Sequence, residues 1–312
     1  MSNILYVMPG TGATLDEIAR REKIANSFLI NKNNKVKVVD TDEGPESIES
    51  SIEGDLSVRG VLRKLIEEKG SYDAVIIGCG DDPGLFSVRE LMDVPVIGPM
   101  ETSIAYSSML GDKFGYITIS EESLSETRMI FRKYGVESKC ASIRSMNVTV
   151  DEMINNKISE KEFLDTFVRE VKSAVNCGAS TILLGCMSMA YMLIDEKVKD
   201  IIDIPIINPA KVSVCTAEVM ISLGLKQLTS LQSKVNEFST GERIIGEIEN
   251  IVDYGLFVEL QKGVTGLLHI SNIPKSMRYN LKVNFKIGTP IYVEIDRINT
   301  DRNQISLKLL RR

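Results

Sequence analysis

The sequence predicts a two-lobed parallel α/β domain followed by a small β-barrel, and three observations carry that reading. Short apolar, β-branched runs alternate with amphipathic stretches through residues 1–225, the grammar of a doubly wound sheet crossed over by helices. A block of strand, Gly-Cys, helix, Asp-x-Pro strand and Pro occurs twice, which implies two related lobes. Beyond residue 241 the helical spacing gives way to β-rich runs parted by Gly, Asn and Asp.

In chain order, the first strand candidates are NILYVM (3–8), KVKVVD (35–40), DAVIIG (73–78), VPVIG (94–98), FGYITI (114–119), STILLG (180–185) and IPIIN (204–208). Between them LDEIARREKIANSFLI, LSVRGVLRKLIEEKG and SEKEFLDTFVREVKSAVNCG space apolar residues by three and four, as helices require. The repeat matches AVIIGC (74–79) and DVPVIGP (93–99) with TILLGC (181–186) and DIPIINP (203–209). KQLTSLQSKVNEFSTG (226–241) is polar and ends in Ser-Thr-Gly, so a helix tail and linker are expected. RIIGEIENIVD (243–253), YGLFVEL (254–260), VTGLLHIS (264–271), TPIYVEIDRI (289–298) and QISLKLL (304–310) supply five short strands, which fit an OB-fold closed around a small core. The boundaries that follow are 1–228 for the two-lobed domain, 229–240 for the linker and 241–312 for the barrel.

A chain of 312 residues with 43% hydrophobic content has material for one sizeable core and a second small one. No run of about 18 apolar residues is present, and the start MSNILYVMPG lacks the basic opening and long apolar stretch of a signal peptide. A cytoplasmic location is expected. The five cysteines, Cys79, Cys140, Cys177, Cys186 and Cys215, have neither metal-site spacing nor the density of a disulfide framework, so free thiols and no metal are expected. The net charge of −6 is unevenly divided: residues 241–312 hold 11 Lys and Arg against 8 Asp and Glu, and the rest 26 against 35. The tail is the basic piece, which favours an anionic partner there.

Parallel sheets take their ligands beyond the carboxyl ends of their strands. Cys79 and Cys186 both fall there, one residue after a strand-ending Gly and ahead of an expected helix. A helix N-terminus would lower the pKa of such a thiol, and the free amides of the turn would hold an anion. Two facing thiols suit proton transfer at an acidic carbon. One removes the proton as thiolate and the other delivers one to the opposite face. Neither metal nor coenzyme is needed where backbone donors stabilise the enolate-like charge. Cys140, Cys177 and Cys215 lack such a partner and read as packing or surface residues.

The strings VIIGCGDDPGL (75–85), ELMDVPVIGPMETSIAYSSMLGDKFGYIT (90–118), ILLGCMSMA (182–190) and IPIINPAKVSV (204–214) resemble the aspartate/glutamate/hydantoin racemase superfamily, its hydantoin racemase branch most of all. The resemblance implies a cofactor-independent racemase or epimerase acting on a small carbon acid, a hydantoin or an amino acid, with Cys79 and Cys186 as the catalytic thiols. It also implies a substrate site built from Pro9, Gly10, Thr11, Gly80, Asp81, Glu101, Thr118, Met187 and Ser188. Where the family reads Asn-Pro-Asn-Thr this chain has Met8-Pro9-Gly10-Thr11, and its single histidine, His269, lies in the other domain. The alternative is an RNA-binding or regulatory protein whose racemase-like lobes sense a ligand without catalysis. A homo-oligomer is the expected assembly.

GEIENIVDYGLFVEL (246–260), GVTGLLHIS (263–271) and VEIDRINTDRNQISLKL (293–309) resemble the RNA-binding domain named for ribosomal protein S1. Tyr254 and Phe257 flank Gly255 at the start of a strand, where exposed rings stack on unpaired bases. The resemblance puts His269 beside them and Arg302 and Lys308 within reach of phosphates, with single-stranded RNA as the partner.

Overall fold

The structure, a computed structural model, describes residues 1–68, 72–148, 152, 158–227, 238–261, 264–299 and 304–310. Its contacts gather into two units, Met1–Gln227 and Leu228–Arg312.

The first unit holds two four-stranded parallel sheets. The first contains β1 (Asn3–Thr11), β2 (Lys35–Thr41), β3 (Ala74–Ile77) and β4 (Val96–Ile97) in the order β2-β1-β3-β4. Its helices are α1 (Leu15–Phe28), α2 (Ser51–Glu67), α3 (Leu85–Leu91) and α4 (Pro99–Leu110). The second repeats the plan with β5 (Phe114–Thr118), β6 (Cys140–Ser145), β7 (Thr181–Leu184) and β8 (Ile206–Ile207) in the order β6-β5-β7-β8. Its helices are α5 (Leu124–Lys133), α6 (Glu160–Asn176), α7 (Met187–Tyr191), α8 (Ile194–Lys197) and α9 (Pro209–Ser222).

The continuous apolar runs of β1, β3, β5 and β7 follow from helices covering both faces of each sheet, so polar alternation is absent. β4 and β8 are shorter than their apolar runs, at two residues each. Pro95 and Pro205 open those runs without an N–H and contribute only carbonyls, which accept from Val75 and Ile182. Pro99 and Pro209 then occupy the first helical turn, where no N–H is missed.

The last helix of each lobe packs on the sheet of the other. Met100 and Ile104 of α4 meet Phe114, Tyr116, Leu183 and Ile207. Ala210, Val214 and Ala217 of α9 meet Ile4, Tyr6, Ala74 and Ile76. Buried Glu218 on α9 fixes this exchange, accepting from the amides of Ile30 (2.6 Å) and Asn31 (3.1 Å) and from the Asn34 side chain (2.8 Å). The lobes therefore cannot separate without exposing both cores.

The second unit is a closed barrel of β9 (Arg243–Val252), β10 (Gly255–Gln261), β11 (Val264–His269), β12 (Pro290–Asn299) and β13 (Gln304–Leu309), ordered β10-β11-β13-β12-β9. Leu256, Val258, Leu268, Val293, Ile295, Ile305 and Leu307 alternate inward to form its core. Gly266 leaves room for the Leu307 side chain, which an added Cβ would meet at 2.7 Å. Residue 228, residues 229–237 of the expected linker and Arg302 lie outside the described residues. Among the described residues no helix is long and apolar enough to cross a membrane.

Candidate active site and nucleic-acid face

Each cysteine follows a glycine that has no room for a side chain. An added Cβ on Gly78 would stand 2.3 Å from the Tyr6 ring and 2.9 Å from the Val7 carbonyl; on Gly185 it would stand 2.6 Å from the Tyr116 ring and 2.8 Å from the Ile117 carbonyl. The two tyrosines are equivalent, since Tyr6 pairs with Ile76 and Tyr116 with Leu183 in the matching registers. The Gly78 and Gly185 amides each donate to those neighbouring carbonyls at 2.7 Å. Strand, tyrosine and glycine thus deliver each thiol to the same height at the carboxyl edge of its sheet. The turns themselves abut: a Cβ on Gly80 would lie 2.7 Å from the Gly185 carbonyl, which accepts from the Tyr116 hydroxyl at 3.0 Å.

The repeat breaks in how the turns are anchored. Asn208 caps α9 from its own chain position, accepting from the amides of Ala210 and Lys211. At the equivalent Gly98 the cap is supplied from elsewhere. Asp82, four residues beyond Gly78, accepts from the amides of Met100 and Glu101, both at 2.9 Å, and from the Tyr134 hydroxyl at 2.7 Å. A side chain at residue 98 would collide with that carboxylate at 2.6 Å. Burial pushes the Asp82 carboxyl up to about 6 while these donors pull it down. The Cys79 turn is thereby tied to α4 and to Tyr134.

The expectation of a helix N-terminus at both thiols holds at one of them. Cys186 is the N-cap of α7, with the Ser188 and Met189 amides directed at its sulfur. Cys79 precedes α3 by a turn whose N-cap is Gly84, so no helix begins at it; the Asp81 amide approaches its sulfur. The expected lowering of the thiol pKa values is also corrected. Burial pushes Cys186 up against the amides, the Ser188 hydroxyl and Arg21. It pushes Cys79 well up, with the Asp81 and Cys186 charges adding to the rise.

Both thiols open into one cavity of about 450 Å³. Of the residues expected at the substrate site, Pro9, Gly10, Thr11, Gly80, Asp81, Thr118, Met187 and Ser188 line it. Glu101 does not. Held at the start of α4 by Asp82, it turns to Arg89, which donates through Nη1 at 3.1 Å and through Nη2 at 2.5 Å. Gly10 has a local reason: the loop crossing β1 brings the Glu46 carbonyl within 3.0 Å of where its Cβ would be, and Pro45 accepts from Thr11 at 3.0 Å.

The sequence reading missed Glu17 and Arg21 of α1, both of which line the cavity. Arg21, with a side chain 12% exposed, donates to Glu17 at 2.6 Å, lies 5.1 Å over the Tyr191 ring and reaches Ser188 Oγ at 3.4 Å. Their four-residue spacing was the available signal, and it reads equally as a solvated helix pair. Loop residues Ser47 to Glu49, with Ser120 and Ser123, complete the wall.

In the barrel, Gly255 pairs with His269 and Phe257 with Leu267. The inward set is Leu256, Val258 and Leu268, which leaves Phe257 and His269 facing outward beside Tyr254. Tyr254 is half exposed and meets the Phe257 ring edge-on at 6.3 Å. An added Cβ on Gly255 would strike the Leu268 carbonyl at 2.4 Å, so the strand start is glycine because β11 passes so close. His269 Nδ1 lies 2.8 Å from Ser271 Oγ, and Arg278 donates to the Ser271 carbonyl at 2.8 Å, which orders the chain after His269. Lys308 is exposed but paired with Asp296, so its charge is partly spent within the barrel.

Two parallel lobes facing one thiol-lined cavity, with a separate OB-type barrel carrying outward aromatics, define a racemase-type isomerase joined to a nucleic-acid-binding module. The chain belongs to the Asp/Glu/Hydantoin racemase family, whose model matches residues 4–217, and the S1 RNA binding domain model matches residues 237–310. It is similar to the hydantoin racemase of Pseudomonas sp. (strain NS671), at 30% identity over 209 residues, 66% of this chain and 81% of that one. The fold resembles the structure of allantoin racemase from Klebsiella pneumoniae, with a TM-score of 0.66, 23% identity, and 73% of this chain and 91% of that chain covered. The barrel is similar to the small ribosomal subunit protein bS1 of Rickettsia conorii (strain ATCC VR-613 / Malish 7), at 34% identity over 92 residues, 28% of this chain and 16% of that protein.

Proposed function

We propose that the α/β unit racemises or epimerises a small carbon acid of the hydantoin type by two-thiol proton transfer, while the barrel holds single-stranded RNA. The observation that carries the reading is that Cys79 and Cys186, on abutting turns of equivalent strands, open into one cavity. One sulfur takes the proton from the stereocentre and the other returns one to the opposite face. The electron pair shifts to the adjoining carbonyl oxygen, where the hydroxyls of Thr11, Thr118 and Ser188 and the Arg21 guanidinium are among the donors along the wall. Among the described residues, four carboxylate residues line the cavity, Glu17, Glu46, Glu49 and Asp81, against the single guanidinium of Arg21, already paired with Glu17. A neutral ring is therefore favoured over a dicarboxylate, in keeping with the name of the hydantoin racemase relative.

The test is to incubate the full chain with single enantiomers of 5-substituted hydantoins in deuterated water. Loss of optical rotation together with deuterium at the stereocentre is the expected result. Binding without exchange for every hydantoin and amino acid tried would instead support the ligand-sensing alternative. For the barrel, Tyr254→Ala and Phe257→Ala should each weaken binding of a fluorescent single-stranded RNA by about 1–3 kcal/mol. Fluorescence anisotropy reads this, and unchanged affinity in both variants would remove the stacking face.

A further inference from the structure

The two sulfurs share a cavity but have different neighbours. Cys79 lies two residues before Asp81, a cavity-lining carboxylate, and close to Asp82. Cys186 starts α7, with the Ser188 and Met189 amides and the Ser188 hydroxyl aimed at it, and Arg21 stands alongside. Arg21 is fixed rather than adaptable: Glu17 grips its Nε, the Tyr191 ring lies beneath it and Ser188 is within 3.4 Å. A guanidinium in such a setting stays charged.

Resting on the racemase reading above, we propose that Asp81 and Arg21 are positioning residues that divide the labour of the thiols. The Asp81 charge holds Cys79 in the thiol form, while Arg21 and the first amides of α7 offset part of the burial at Cys186 and make it the more readily ionised of the two. With the Cys186 thiolate formed, the chain accepts the enantiomer whose C–H bond faces Cys186. The C–H bond breaks, its pair passes to the enolate, and the proton joins the Cys186 sulfur. The Cys79 S–H bond then breaks as a C–H bond forms on the opposite face, leaving a Cys79 thiolate. One proton gained from solvent at Cys79 and one lost to solvent at Cys186 restore the starting state, with no oxidant or co-reactant.

Asp81 also makes the bias depend on pH. Burial, then the charges of Glu126 on α5 and of Asp82, hold its carboxyl up to about 7. Below that pH Asp81 is neutral and its hold on Cys79 relaxes; above it the ionised carboxylate opposes a second negative charge nearby. The other titratable groups facing the Cys79 sulfur are Asp82 and Cys186, and Cys79 in turn couples to Tyr6 and Tyr116. Those tyrosines are themselves pushed far up by burial and stay neutral, so the groups that change over this range are Asp81, held up to about 7, and Asp82, held up to about 6, each raising Cys79 as it ionises.

Iodoacetamide alkylation of the full chain, read site by site by peptide mass spectrometry, tests this without any substrate. Cys186 should react faster, and the Cys186-to-Cys79 ratio should rise between about pH 6 and about pH 8. Asp81→Asn should speed Cys79 by about tenfold for each unit its pKa falls, leaving Cys186 within about twofold. Asp81→Glu should keep the native ratio, and Arg21→Gln should slow Cys186 alone. A faster Cys79 in the native chain, a ratio flat with pH, or a ratio unmoved in Asp81→Asn overturns the proposal. Should Asp81→Asn fail to fold, Asp81→Ser in the same assay takes its place beside the pH series on the native chain. Failure of hydantoin turnover would sink the substrate reading and leave this asymmetry standing, so the two are told apart.

Discussion

Cys79→Ser and Cys186→Ser should each lower racemisation by about 10²–10⁴-fold, the usual worth of one positioned acid or base. Serine keeps the shape but its hydroxyl ionises far outside the working range, so one face of the carbon loses its proton carrier. The loss should not be total in every readout. In Cys79→Ser the remaining thiol still removes a proton from its own side and, after exchange with deuterated water, returns deuterium to that side. One enantiomer then gains label with its configuration kept. Cys186→Ser should label the opposite enantiomer, and the double variant neither. Chiral chromatography with mass detection reads both properties at once. Native racemisation in either single variant would end the two-thiol assignment, and label in both enantiomers from one single variant would end the assignment of one thiol to each face.

What the sequence disclosed and what it withheld divide along the range of the forces involved. The strands were legible because a parallel sheet covered on both faces demands unbroken apolar runs, and NILYVM and TILLG have them. The Gly-Cys pairs were legible because the glycine, the thiol and the strand end are neighbours in the chain. Tyr254 and Phe257 could be read as exposed because they flank Gly255 at the very start of a strand, within a motif that resembles the S1 domain. Arg21 was not legible, since its burial depends on Tyr191 and Ser188, far along the chain on α7, and the Glu17 spacing looks the same on an open helix face. Glu101, placed at the pocket by the family resemblance alone, misled, because Asp82 takes over the start of its helix and Arg89 takes its carboxylate. The sign of the thiol shifts failed for the same reason. A helix dipole can be inferred from sequence, whereas the burial that outweighs it belongs to the assembled cavity. In the barrel, Lys308 looked free for phosphate until strand pairing set Asp296 beside it.

Gly78→Ala and Gly185→Ala should disable the site without touching a thiol. In each, the new methyl would stand within 3.0 Å of both a tyrosine ring and a strand carbonyl. Neither neighbour can step aside: Tyr6 and Tyr116 are fully buried, and the carbonyls of Val7 and Ile117 already accept from these glycine amides. The strand end must move instead. Such overpacking costs about 1–3 kcal/mol, and for a unit of this size each kcal/mol lowers the melting temperature by about 2–4 °C. Activity should suffer more than stability, since a shift of about 1 Å in a reacting group costs on the order of 10²-fold. Gly54→Ala on α2 is the contrast, because its new methyl would meet nothing nearer than 3.8 Å. With only helix propensity at work it should gain up to about 1 kcal/mol and leave turnover alone. Calorimetry and deuterium exchange on the three variants separate the cases. Gly185→Ala with native melting and native exchange would mean that the tyrosine-glycine contact does not set the height of the thiol, and the geometric basis for facing sulfurs would fall with it.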